Sequence, residues 1–363
     1  MENQNRFFDY TIDDKVYRFT RDPYPSDENL IPLNNSHIYI NKFIKESFNE
    51  TQKFISIEDD YGVLPTLLGS RSVSYSDSLY QEKALELNSV ENNVEIESID
   101  TLEGSIEAIP IVSCVKDLSY FKYILGCVSL FSDKVIIYGM DRNYTMLYTN
   151  IVKDFYQNID FSRGWKRSRV TLASKPKIVD RVRENYYFSP VLEERLCNFP
   201  GSYAYNKPDL GSIAMMKYLK GQDIYGSTLD IGCGNGVLTF FVNKNFDIKE
   251  SFLTDISKAS IRSAKKNLED FGNITILREF YSENIEKKFD NIFINPPFHH
   301  NRQTTRLTAL NMFKDVKSKM DRNSKLFIVY NRHLNYTVNL KSQFSKVDII
   351  SKDPKFIVVR CSL

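Results

Sequence analysis

In the stretch Leu229-Asp230-Ile231-Gly232-Cys233-Gly234-Asn235-Gly236, three glycines within five residues follow directly on an apolar run. Few folds are open to such a sequence. The run predicts a buried strand over 228–231, and the residues beyond it a helix over 236–245. Glycine between the two lets the backbone approach a ligand that a Cβ would block. The helix start turns unpaired N–H groups toward the same place. Further strands are expected at 251–254, 274–277, 291–294 and 326–330. A helix is expected at 257–270, with Ile261, Ala264 and Leu268 on one face. Strands separated by helices predict a parallel sheet covered on both faces. Runs at 347–350 and 356–359 flank Asp353-Pro354 and predict a hairpin at the sheet edge.

The first half repeats this rhythm. Strands are expected at 54–57, 72–75, 94–96, 111–115 and 134–138, and helices at 77–88, 117–129 and 144–156. Order and type match the second half although residue identities do not, which suggests an internal duplication. Between the halves, eight Lys or Arg side chains lie from 163 to 183 against one acid, Asp180. The domain boundary is expected within or shortly after this stretch, near 175–195.

Bulk properties narrow the function classes. The 363 residues are long for one domain and comfortable for two. A net charge of +2 gives no global field for nucleic acid, so any basic surface must be local. The five cysteines, at 114, 127, 197, 233 and 361, are odd in number and form no CxxC pair, against structural zinc and a disulfide framework. Cys233 reads as a small side chain. Four histidines without ligand spacing argue against a catalytic metal. The N-terminus leads into no signal-peptide core, and the longest apolar run, near 123–131, is far short of a membrane span. A cytoplasmic protein is expected.

Two clusters carry the chemistry. Asp255 follows Gly236 by nineteen residues, at the end of the next strand, where a carboxylate can accept from both hydroxyls of a ribose. The glycine cluster is not G-x-G-x-x-G and has no P-loop lysine, which disfavours a nicotinamide or a nucleoside triphosphate. The second cluster, Asn295-Pro296-Pro297-Phe298-His299, ends the strand at 291–294. A proline pair is often only a strand stop. Here it stands at the C-terminal end of a strand in the same sheet, where ligands bind. An exocyclic amine on a base is a poor nucleophile because its lone pair is delocalised. The side-chain oxygen of Asn295 and the carbonyl of Pro296 can orient its two N–H bonds and free that lone pair. Pro296 and Pro297 stiffen the backbone, and Phe298 can stack on a flat base. Together the clusters predict methyl transfer from S-adenosylmethionine to a planar amine. His299 and His300 could serve as base, but packing or RNA contact is the preferred role, and His333 is equally open.

With Pro200-Gly201-Ser202-Tyr203 and Asp209-Leu210-Gly211-Ser212, these clusters resemble the bacterial rRNA guanine-N2 methyltransferases of the RsmC/RlmG type. Phe327-Ile328-Val329-Tyr330-Asn331-Arg332-His333 and Lys355-Phe356-Ile357-Val358-Val359 look closer to the large-subunit branch. The resemblance implies an α/β fold of two tandem Rossmann-like class I methyltransferase domains. Residues 1–180 would form a degenerate RNA-recognition domain and 181–363 the catalytic one. It implies Asn295, Pro296, Pro297 and Phe298 as catalytic residues. Tyr203, Asp209, Asp230, Gly232, Gly234, Asn235, Gly236 and Asp255 would bind the cofactor. The substrate would be the N2 amine of a guanine in 23S rRNA, and the protein a monomer without a membrane partner.

The first half fits a degenerate copy on its own terms. Glu58-Asp59-Asp60-Tyr61-Gly62 stands where a glycine turn belongs, and Ile111-Val112-Ser113-Cys114 where Asn-Pro-Pro-Phe belongs. Two departures stand out. Pro208 replaces a usual leucine, and 278–282 lacks the Asp or Asn that holds the adenine amine, so Asn284 or backbone would substitute. Arg163, Trp165, Lys166, Arg167, Arg169 and His299 are candidate RNA contacts, with a solvated linker the equal alternative. Other readings stay open: guanine-N2 methylation of 16S rRNA, adenine-N6 or protein-glutamine methylation (which commonly show Tyr in place of Phe298), and a non-catalytic RNA-binding assembly factor.

Overall fold

The computed structural model describes residues 7–23, 31–104, 106–180, 183–297, 306–352 and 354–363. The chain divides into two compact units, Met1–Arg183 and Glu184–Leu363.

The first unit opens with a hairpin, β1 (Phe8–Ile12) and β2 (Lys15–Phe19), and a helix, α1 (Asn35–Ser47). There follow β3 (Phe54–Ile57), α2 (Val63–Leu68), β4 (Ser72–Tyr75), α3 (Leu79–Glu91), β5 (Glu97–Ser98), β6 (Ile109–Ser113), α4 (Leu118–Val128), β7 (Lys134–Met140), α5 (Met146–Phe155), β8 (Tyr156–Phe161) and β9 (Ser168–Pro176). The seven-stranded sheet has the order β5-β4-β3-β6-β7-β9-β8. Its first five strands are parallel, and β9 runs antiparallel between β7 and β8.

The second unit repeats this plan. A hairpin, β10 (Asn185–Ser189) and β11 (Glu194–Asn198), precedes α6 (Leu210–Leu219). Then come β12 (Gly226–Ile231), α7 (Val237–Asn245), β13 (Ile248–Asp255), α8 (Lys258–Asn267), β14 (Ile274–Arg278), β15 (Asn291–Ile294), α9 (Leu307–Asp315), β16 (Lys325–Asn331), α10 (Thr337–Lys341), β17 (Lys346–Lys352) and β18 (Phe356–Ser362). The order β14-β13-β12-β15-β16-β18-β17 matches the first sheet strand for strand. The duplication suspected from the sequence is thus present at the level of topology.

β3 and β15 are buried along their whole length because helices cover both faces of their sheets. Alternation sends Leu229, Ile231, Ile292 and Ile294 to one face, against Ala309, Met312 and Phe313 of α9. Phe293 and Phe327 point the other way, against Met215 and Met216 of α6 and Val237 and Phe241 of α7. In the first unit Ile55 and Ile57 pack on α4, while Phe54 and Ile111 pack on α1 and α2.

Two expectations are corrected. No strand forms at 94–96, because α3 runs on to Glu91 and closes in a Schellman turn. Asn93 has φ 55°, Asn93 N–H donates to Val90 O at 3.1 Å, and Val94 N–H donates to Ser89 O at 2.9 Å. The strand that follows is Glu97–Ser98. The basic stretch does not simply join the halves, since its first part is the β8–β9 turn and β9, paired with strands on both sides. The hairpin expected at the C-terminal edge forms as β17 and β18, although Asp353 lies outside the described residues. No helix is long and apolar enough to cross a membrane among the described residues.

Candidate functional site

The turn between β12 and α7 needs its glycines. Gly232, Gly234 and Gly236 have φ of 72°, 56° and 78°, the left-handed region that costs other residues most. The N–H groups of Gly232 and Cys233 donate to Thr254 O at 2.8 and 3.0 Å, stitching the turn to the end of β13. A Cβ on Gly236 would stand 2.9 Å from Leu268 Cδ1, whereas one on Gly234 would meet nothing within 4 Å. The turn is therefore packed on one side and open on the other. Asp255 closes it: Oδ2 accepts from Gly234 N–H and Oδ1 from Ser257 N–H, both at 2.9 Å.

Two residues expected at the cofactor turn their side chains into the protein. Asp230 is buried, and its Oδ2 accepts from the Thr239 hydroxyl at 3.0 Å. Burial pushes its carboxyl up to about 7. Asn235 donates through Nδ2 to Tyr187 Oη at 2.9 Å, and its carbonyl accepts from Asn267. Burial, with the charges of Asp255 and Asp230, holds the Cys233 thiol well above its usual range, so it is no thiolate nucleophile.

Asn295 follows β15, which pairs directly with β12. Its Nδ2 donates to Asp209 Oδ2 at 2.7 Å and to Ser212 Oγ at 3.1 Å. Its Oδ1 is buried without a hydrogen-bond partner. Asp209 is the N-cap of α6, where its Oδ2 also accepts from Ser212 N–H at 2.6 Å. Tyr203 joins the same carboxylate; burial first, then the Asp209 charge and hydrogen bond, push its phenol up to about 12. The structure thus brings Tyr203 and Asp209, expected at the cofactor, to Asn295. Gly211 makes the room, since a Cβ there would stand 3.1 Å from Asn295 Oδ1 and 3.2 Å from Asp209 Oδ2. Pro296 is buried and Pro297 exposed. Phe298, His299 and His300 lie outside the described residues.

One residue was missed from sequence. Glu279, just past β14, is buried, and its N–H donates to Asp255 O at 3.1 Å. Its Oε2 accepts from Asn284 Nδ2 at 2.9 Å, while Oε1 is buried without a partner. Residues 278–282 hold no Asp or Asn, but they hold the longer carboxylate of Glu279.

The corresponding turn of the first unit is filled by side chains. Glu58 takes the place of Gly232: its φ is 59°, and its N–H donates to Tyr75 O at 3.0 Å. Its carboxylate is buried, with Oε1 accepting from Asp77 N–H and from the Tyr120 hydroxyl, both at 2.8 Å. Burial, then the Asp77 charge, push it up to about 7. Asp59 accepts from Val63 N–H at 2.8 Å and the Tyr138 hydroxyl at 2.7 Å, and faces His37 Nε2 at 3.3 Å. Burial alone would raise this carboxyl, but His37 and the hydrogen bonds outweigh it and hold it low.

The β8–β9 turn is of type I′, with Lys166 and Arg167 at φ 44° and 61° and reciprocal hydrogen bonds between Trp165 and Ser168. Arg163, Lys166 and Arg167 are exposed, and Lys166 Nζ lies 4.7 Å from the Trp165 ring. Tyr39 supports Trp165, ring to ring at 5.9 Å. Arg169 is held by Asp141 at 2.6 Å. Among the described residues no cluster of His, Cys, Asp and Glu could hold a metal.

Two family models match the chain: an RLMG N-terminal domain over residues 8–177 and a methyltransferase small domain over 193–360. Curated relatives match along nearly the whole chain. Ribosomal RNA large subunit methyltransferase G of Shewanella sp. (strain W3-18-1) is 26% identical over 361 residues, covering 94% of this chain and 95% of the relative. The protein of the same name from Psychromonas ingrahamii is 24% identical over 380 residues, with 96% and 97% covered. Among solved structures, the T. thermophilus 16S rRNA N2 G1207 methyltransferase (RsmC), in complex with AdoMet and guanosine, superposes with a TM-score of 0.75 at 16% identity, covering 98% of each chain. That likeness shows the fold: two tandem Rossmann-like α/β domains.

Proposed function

We propose that this chain is a methyltransferase of the RsmC/RlmG type and that it methylates the N2 amine of a guanine in 23S rRNA, using S-adenosylmethionine. The observation that carries the reading is the Asn295 amide, whose nitrogen is anchored and whose oxygen is left as a buried, unused acceptor beside the glycine turn. An acceptor so placed suits an amine with two N–H bonds. The large-subunit substrate is supported by the names of the full-length relatives.

The turn residues fit the cofactor. Asp255 accepts from the ribose hydroxyls, and the open side of Gly234 lets the ligand lie close to the backbone. Glu279 Oε1 is a ready acceptor for the adenine amine. When bound, S-adenosylmethionine supplies an electrophilic methyl on a sulfonium. Asn295 Oδ1 and the Pro296 carbonyl accept from the guanine amine and turn its lone pair toward that methyl. The amine nitrogen would take the methyl, the sulfur would keep the C–S bonding pair, and the amine proton would leave to water.

The second unit is the catalyst and the first reads RNA. In the first unit the turn carries the side chains of Glu58 and Asp59, bonded to Asp77 and Val63, in place of the open glycines of the second. Lys166 and Arg167 at the β8–β9 tip suit phosphates, with Trp165 a stacking platform. We expect a cytoplasmic monomer without a membrane partner.

The test is transfer of labelled methyl from S-adenosylmethionine to rRNA from a strain lacking the gene, followed by nucleoside analysis. Label in N2-methylguanosine of 23S rRNA is expected. Label in N6-methyladenosine, or in 16S rRNA alone, would overturn the assignment. Absence of S-adenosylmethionine binding would leave only the assembly-factor reading.

A further inference from the structure

We propose that Asp209 and Ser212 are positioning residues that fix which end of the Asn295 amide meets the substrate. The inference rests on the reading of Asn295 as the amine acceptor.

An asparagine amide is nearly symmetric in shape but opposite in function at its two ends. Only the oxygen can accept from an amine; the NH2 group, turned outward, would oppose N–H to N–H. A free asparagine at the end of β15 could adopt either orientation. Here the choice is made by partners far away in sequence. A carboxylate only accepts, so Asp209 Oδ2 at 2.7 Å requires the Asn295 nitrogen to face it. Ser212 Oγ at 3.1 Å takes the second hydrogen. With both amide hydrogens engaged, Oδ1 is the end left without a partner, and it is buried.

The anchors are themselves held. Asp209 caps α6 through Ser212 N–H at 2.6 Å, so one oxygen serves both the helix and the amide. Tyr203 donates to the same carboxylate. Gly211, between the two anchors, has no Cβ to crowd the amide. The α6 N-terminus is thus a clamp on Asn295, rather than a cofactor contact through Asp209.

Substitutions can separate clamping from helix capping, because Asn and Ser are both good N-caps. In Asp209→Asn an amide at 209 can accept or donate, so Asn295 populates both orientations. In Asp209→Ser the cap persists, but the side chain is too short to reach Asn295. We expect kcat for methyl transfer to fall in the order wild type, Asp209→Asn, Asp209→Ser, with the Ser variant down ~100-fold, the scale of losing one preorganised polar contact. Ser212→Ala should lose ~3–10-fold, a share of that effect. The Kd for S-adenosylmethionine and the melting temperature should stay near wild type in all three. Wild-type kcat in Asp209→Ser, with Asn295→Ala inactive, overturns the inference alone. A loss of cofactor affinity equal to the loss of kcat also overturns it and restores Asp209 to the cofactor. Full turnover by Asn295→Ala overturns the underlying reading of the site and this inference together.

Discussion

Gly234 donates its backbone N–H to Asp255 Oδ2 at 2.9 Å. The bond joins the turn after β12 to the end of β13. Since Oδ1 is held by Ser257 N–H, the carboxylate is fixed before any ligand arrives. Asp255→Ala removes a charged acceptor for two hydroxyls and an anchor of the turn. Hydrogen bonds to charged groups are worth about 1.5–3 kcal/mol, so the affinity for S-adenosylmethionine should fall ~10–100-fold. Calorimetry measures it, and an unchanged Kd would remove Asp255 from the cofactor site.

Gly211→Ala separates stability from activity in the opposite direction to most mutations. Alanine within a helix is favoured over glycine by roughly 0.5–1 kcal/mol. The new Cβ would stand 3.1 Å from Asn295 Oδ1 and 3.2 Å from Asp209 Oδ2. Turnover should drop ~10-fold or more, as small misplacements at a reacting centre do, while thermal melting is unchanged or slightly higher. Equal activity would mean that the amide tolerates displacement.

Glu58 makes the first unit sensitive to pH. Its carboxyl, ordinarily near 4.5, is pushed up to about 7 by burial and then by Asp77. The fold therefore holds this proton more tightly than the unfolded chain does. The associated stability is complete below about 4.5 and lost as pH rises through about 7. Melting temperature should fall across that window, and Glu58→Gln should flatten the slope by several °C, on the order expected for a few kcal/mol. Asp230, also pushed up to about 7, acts with the same sign in the second unit. A Glu58→Gln protein with the wild-type pH slope would contradict the assignment.

At the β8–β9 tip, Lys166→Glu with Arg167→Glu should weaken RNA binding and lower its salt dependence by roughly two charges' worth. Reversal at Arg169 should do less, because Asp141 already pairs with it. Filter binding across a salt series reads both, and an unchanged salt slope returns the tip to a solvated surface.

The sequence was most legible where signals are local. The strand 291–294, buried on both faces, was placed to the residue as Asn291–Ile294, and so were Phe54–Ile57 and Ser72–Tyr75. The basic stretch misled because its type I′ turn is made of Lys166 and Arg167, without the Asn-Gly that usually marks one. The two opening hairpins and α6 carry no comparable signature. Asp209 was found, but its partner Asn295 lies 86 residues away, and only the fold shows that they meet. Glu279 was missed because only burial, with one oxygen unpartnered, sets it apart from other glutamates.

The most direct test of the central claim is to map methylated nucleosides in 23S rRNA from cells with and without this gene. The account predicts one N2-methylguanosine that disappears on deletion, returns with the wild-type gene and does not return with Asn295→Ala. Loss of a methyl from any other atom, or its return with Asn295→Ala, would contradict it.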